Sequence, residues 1–115
     1  MRLKSAIWVA AYVRQCHLEG AFAVVRRRGA EEAGAIFVKV SRLEGSAALF
    51  GPAPQAVFAE AHPSERRFVS CLAKGFVPEA DVESRIAREL NFDSDIWLIE
   101  VEDRTGRHFL DIIAS

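Results

Sequence analysis

The chain has 115 residues, a formal net charge of −1, half of its residues apolar and 27% charged. That length suits one domain with a core of its own, and the composition excludes a disordered chain. The near-zero charge argues against a dedicated nucleic-acid binder. The charge is unevenly spread: residues 1–50 carry eight Lys/Arg and four Asp/Glu, while residues 51–115 carry seven and twelve. In a domain this small the two halves neutralise each other within one fold. Cys16 and Cys71 are the two cysteines, and two thiols without an export signal point to a reducing, cytoplasmic setting. Met1-Arg2-Leu3-Lys4 and the apolar run after it look like the start of a leader, but Arg14-Gln15-Cys16-His17 stands where a small-residue cleavage site belongs. The run is also far too short to span a bilayer, so no membrane attachment is expected.

Residues 5–19 read as the first helix, with Ser5 as its cap and Gly20 as its left-handed stop. Trp8 and Tyr12 form an i,i+4 aromatic pair on it. Residues 21–28 read as a strand that ends in Arg26-Arg27-Arg28, and residues 29–34 as a polar loop. The stretch that organises the chain is 34–51. Two runs rich in strand-forming residues, 35–43 and 46–50, meet across Glu44-Gly45, a two-residue hairpin signal. Along the first run Ile36, Val38 and Val40 share one face and Phe37, Lys39 and Ser41 the other, which suggests one buried face and one partly wet face.

Gly51-Pro52-Ala53-Pro54 ends the second run, because two prolines in three residues cannot continue a ladder. Residues 55–61 suggest a short helical excursion, 62–64 a loop, 67–72 a strand and 73–77 a turn. Residues 78–90 read as the second helix. Pro78 opens it, acidic residues fill its first turn, and Val82, Ile86 and Leu90 form one apolar stripe. Residues 96–103 form the last long strand, 103–106 a turn, and 107–113 a returning partner strand.

The chemistry-bearing residues are sparse. His17, His62 and His108 are scattered, no Cys-x-x-Cys or His-x-x-x-His occurs, and zinc needs about four converging ligands. No phosphate loop and no nucleophile elbow is present. No metal and no cofactor is therefore expected. Three surfaces remain. Glu100 and Glu102 share a sheet face, with Asp103 after them and Asp93 and Asp95 before; paired carboxylates of this kind bind a divalent cation or act as acid and base. The bland alternative is a solvated sheet face, or cross-strand pairing with Arg104, Arg107 or Lys39. Arg26 and Arg28 share a strand face, and Arg42 joins them if the first two strands pair, giving a phosphate-reading patch or a solvated strand end. Phe50, Pro52, Pro54 and Gln55 form a proline-rich corner of the kind that carries recognition, unless Phe50 simply packs inward.

Arg2-Leu3-Lys4-Ser5 with Trp8-Val9 and Ala11-Tyr12, then Gly34-Ala35-Ile36-Phe37-Val38-Lys39, then Gly51-Pro52-Ala53-Pro54-Gln55, and finally the run from Glu100 through Asp103-Arg104-Thr105-Gly106 to Leu110, resemble a family of small alphaproteobacterial proteins. It is domain-of-unknown-function family 1491. The resemblance spans nearly the whole chain, implies a bacterial single-domain protein, and transfers no catalytic residue.

The sequence thus predicts one α+β domain, 1–115, with an antiparallel sheet of five or six strands and two main helices packed on one face. The preferred function is a non-catalytic cytoplasmic module that uses a sheet edge or the proline-rich corner to bind a protein partner or a second copy of itself. The alternatives are a nucleic-acid-contacting accessory protein using the basic strand, and a small metal-dependent enzyme using the paired carboxylates.

Overall fold

The computed structural model describes residues 3–54 and 66–113. Helix α1 (Ser5–Leu18) leads into β1 (Phe22–Arg27), β2 (Ile36–Ser41), β3 (Ser46–Pro52), β4 (Phe68–Ser70), β5 (Val77–Pro78), helix α2 (Glu79–Phe92) and β6 (Trp97–Glu102). The six strands form one sheet in the order β1-β6-β2-β3-β4, with β5 joining the far end of β3. The fold class is α+β. Residues 55–65, which include the expected helical excursion and Gln55, lie outside the described residues.

The pairings are antiparallel except at the centre, where β2 and β6 run parallel from Ile36↔Trp97 to Ser41↔Glu102. All six residues of β2 are buried. The strand therefore has no wet face, and the reason is that the two helices lie on opposite faces of the sheet, not on one as expected. On one face Val9, Tyr12 and Cys16 of α1 meet Val38, Val40, Ile99, Val101 and Phe50. On the other, Val82 and Ile86 of α2 meet Phe37, Ala47, Leu49 and Leu98. A strand between two helical layers is buried on both sides and reads as a near-continuous apolar run. Lys39 interrupts that run and gave it the look of alternation.

The local signals for α1 hold with one change. Gly20 takes φ +89° and ends the helix. Trp8 and Tyr12 stack with ring centroids 4.9 Å apart. Ser5, however, lies inside the helix and is fully buried, donating its Oγ–H to the Gly34 carbonyl at 2.7 Å. The first turn is capped by backbone instead: the N–H groups of Ser5 and Ala6 donate to the carbonyls of Glu32 and Glu31, each at 3.0 Å.

The central hairpin is present, but its turn is longer than two residues. Ser41 pairs with Ala47, and Arg42 N–H donates to Ser46 O at 3.1 Å, leaving 43–45 as the loop. Leu43 and Gly45 there take φ +68° and +100°. β3 runs on through Pro52, which pairs with Phe68.

The returning strand at 107–113 does not form. β6 is already flanked by β1 and β2, so it has no free edge to offer. The segment crosses instead to β4, where Phe68 N–H donates to Asp111 O at 2.9 Å and Ile113 N–H to Phe68 O at 2.8 Å.

Candidate interaction surface

In the sequence the acidic strand and the basic strand stand apart. The structure joins them. β1 and β6 pair with Val24 opposite Glu100, so Arg26 and Glu100 rise from the same sheet face, towards α2. Arg26 donates to both oxygens of Glu83 on α2 at 2.8 and 3.0 Å, and to Glu100 at 3.1 Å. Lys39 Nζ sits within 2.8 Å of Glu79, 2.7 Å of Glu83 and 3.5 Å of Glu100. Its side chain is only 5% exposed. An ammonium this far from water persists because carboxylates surround it. Burial lowers the Lys39 pKa, but the bonds to Glu79 and Glu83 and the Glu100 charge outweigh it, so the net shift is upward. Hydrogen bonds from Arg26, then Lys39, draw the Glu83 carboxyl down from 4.5 to about 2 against the opposing effect of burial. The network ties α2 to the sheet, and Glu100 is engaged on both sides by cations.

Arg28 and Arg42 lie elsewhere. The β1–β6 register slips between Val25 and Arg27, which turns Arg28 to the opposite side from Arg26. Its guanidinium carbon lies 4.9 Å from the centre of the Trp97 ring. β1 pairs with β6 and not with β2, so Arg42 is remote from both. It packs 4.0 Å over the Phe76 ring and bonds Ser46. The three arginines do not make one patch.

Glu102 lines an open groove of about 560 Å3 with Phe22, Leu43, Arg104 and Arg107. Asp103, in the same groove, is consumed by its turn. It accepts from Thr105 Oγ1 at 2.8 Å, Arg107 N–H at 2.9 Å and Arg107 Nη2 at 2.7 Å. The Arg107 guanidinium holds the Asp103 carboxyl far below the ordinary carboxylate range. Asp93 accepts from Asp95 N–H at 2.9 Å, a local turn contact. Among the described residues no cluster of three or more His, Cys, Asp and Glu is placed to hold a metal ion.

At the proline-rich corner Phe50 is buried, its ring 5.1 Å from that of His108. Pro52 and Pro54 are exposed. Burial raises the thiol pKa of both Cys16 and Cys71, the latter to about 11. Neither has the low pKa of a reactive thiolate.

What remains exposed and apolar near the site is the outer part of the α2-side face. Phe22 and Val24, alternate residues of edge strand β1, are 55% and 43% exposed, and Leu43 across the groove is 46% exposed. The outer backbone edge of β1 is partly occupied, because His17 Nε2 lies 2.9 Å from the Ala23 carbonyl. Phe22 and Val24 were legible as strand residues. Their exposure was not, because it depends on how far α2 reaches across the sheet.

The family model described as "Protein of unknown function (DUF1491)" matches residues 3–111. The chain belongs to this family. A DUF1491 protein from Caulobacter crescentus CB15, solved by crystallography, is 40% identical with a TM-score of 0.79, covering 98% of this chain and 99% of that one. Protein Atu0922 from A. tumefaciens, a solution structure, is 40% identical with a TM-score of 0.81, covering 100% of this chain and 98% of that one. An NMR structure of a DUF1491 protein from Caulobacter crescentus CB15 is 41% identical, with a TM-score of 0.77 and 98% of each chain covered. No curated protein matches the chain. Among the described residues of this DUF1491 chain, no helix is long and apolar enough to cross a membrane.

Proposed function

We propose that this DUF1491 protein is a non-catalytic cytoplasmic module that binds a protein partner through the exposed face of β1. The observation that carries this reading is the pair Phe22 and Val24, solvent-facing on an edge strand beside the groove that Leu43 and Arg104 help to line. Large apolar side chains grouped next to a groove favour a protein surface as their cover. The proline-rich corner is less suited, because Phe50 points inward. Strand addition along the β1 edge is also less suited, because His17 occupies one of the carbonyls it would need. The alternatives have weaker support. Arg26, Arg28 and Arg42 do not share a surface for nucleic acid, and Glu100 is neutralised by Arg26 and Lys39.

The test is capture from alphaproteobacterial lysate by tagged protein, with nuclease, at low and high salt, comparing wild type with the Phe22→Ser/Val24→Thr double variant. Both positions are exposed, so the variant should melt within a few degrees of wild type. The expected result is a stoichiometric, nuclease-resistant protein whose recovery falls about tenfold in the variant, a loss of about 1.4 kcal/mol of affinity. Recovery of nucleic acid, or of no protein that depends on these two residues, overturns the reading.

A further inference from the structure

The outermost stripe of α1 is apolar where a surface helix carries charge. Val9, Tyr12 and Cys16 face the sheet and are buried. At 3.6 residues per turn the diametrically opposite stripe is Ile7, Ala10, Ala11, Arg14 and Leu18, with Leu3 just before the helix. Ile7 is 52% exposed and Leu18 76%. Ala10, Ala11 and Arg14 are exposed as well. A helix with one covered face and solvent on the other should be polar outside.

The stripe is self-complementary when run against itself. A two-fold axis between Ala10 and Ala11 brings Ile7 of one copy level with Arg14 of the other, each about 5 Å along the axis from the crossing, and brings Leu18 level with Leu3. The two alanines at the crossing let the helix axes approach closely. Charge fits the same arrangement. The carbonyls of Glu31 and Glu32 cap the first turn of α1, so this exposed acidic pair sits beside the helix N-terminus. Arg14 of the second copy comes to that end. Among the described residues of its own chain Arg14 meets no carboxylate, whereas Glu32 has only a long 3.8 Å pairing with Lys4. The two-fold axis makes the Arg14 to Glu31/Glu32 contact twice.

We propose that the outer face of α1 is a homodimer interface, an antiparallel α1–α1 pair whose occupant is a second copy of this chain. This goes beyond the β1 reading and uses a different surface. One helix pair covers less area than a permanent dimer needs, so association is weak and concentration-dependent.

The experiment is sedimentation equilibrium of pure full-length protein from micromolar to near-millimolar concentration, so its failure is independent of any lysate partner. Wild type is compared with Ala11→Arg, Arg14→Glu, and Arg14→Glu combined with Glu31→Arg/Glu32→Arg. Circular dichroism and melting confirm that each variant is folded; all four positions are exposed. The expected result is a reversible dimer whose dissociation constant rises about tenfold or more in each single variant and returns towards wild type in the charge-swapped combination. A monomer throughout the range overturns the proposal. So does a dimer indifferent to Ala11→Arg, or a charge swap that fails to restore association.

Discussion

Arg26 on β1 and Glu83 on α2 meet end to end, two parallel hydrogen bonds of 2.8 and 3.0 Å joining the edge of the sheet to the helix beside it. Both side chains are partly exposed, at 34% and 41%, so solvent screens the pair. Arg26→Ala should cost about 1 kcal/mol, near the top of the range for surface pairs because the geometry is bidentate. A double-mutant cycle with Glu83→Ala, read by denaturant unfolding, should show positive coupling. Additive single effects would mean that the pair contributes nothing.

The same pair sets an acid limit. The folded Glu83 pKa of about 2 lies below its ordinary 4.5. A carboxylate with a depressed folded pKa contributes stability that is fully present above 4.5 and is lost as pH falls towards 2. Melting temperature should therefore fall more gently in that window for Glu83→Gln than for wild type.

Lys39 should be the most sensitive member of the network. Lys39→Met removes the buried cation and leaves Glu79, Glu83 and Glu100 facing each other with Arg26 alone. The expected loss is about 3 kcal/mol, the low end for breaking a buried pair, because the carboxylates keep some water. Chemical denaturation measures it. Adding Glu100→Gln to that variant should recover part of the loss by removing one unpaired charge.

His108 predicts a second pH dependence, nearer neutrality. Its ring packs on Phe50, its Nδ1 accepts Leu110 N–H at 2.9 Å, and burial lowers its pKa. The folded state therefore binds fewer protons than the unfolded chain. This contribution is fully present above the unfolded value of about 6.5 and is lost as pH falls through it. Melting temperature should drop as pH falls below about 6.5. His108→Asn, whose side-chain oxygen can take the same N–H, should flatten that slope at the cost of a lower starting stability.

Gly29 should tolerate no side chain. A Cβ there would lie 2.3 Å from the Asp95 carbonyl oxygen and 2.6 Å from the Ile96 carbonyl carbon. Both are backbone atoms that cannot rotate away. Gly29→Ala should destabilise by about 2 kcal/mol or more, as overpacking against fixed atoms does. Gly20→Ala meets nothing within 4 Å and is strained only by its positive φ, so it should cost less.

The helices were legible because α2 carries an acidic first turn and a clean apolar stripe, and α1 a glycine stop. The hairpin was legible from its strand-forming runs and Gly45. The layer arrangement was not. Lys39 reads as a wet position, and only the carboxylates gathered from α2 and β6 show why it is buried. Gly29 and Gly34 read as loop residues, whereas each holds its backbone against Asp95, a contact between segments more than sixty residues apart. The site was half legible. Glu100 and Arg26 were both singled out, but their partnership needed the β1–β6 register. The exposed faces of Phe22 and of α1 needed the covering elements to be in place.

The parallel pairing of β2 with β6 bears on how the chain is made. β6 leaves the ribosome last of the strands, yet it supplies the neighbour for both β1 and β2. Until it emerges, β1 has no strand beside it and the hairpin has one bare flank. Closure of the sheet must wait until β6 has been made, and its pairings with β1 and β2 are contacts between distant parts of the chain. Loss of β6 would leave the domain open, with β1 unpaired and the β2 flank of the hairpin available to chaperones or to aggregation.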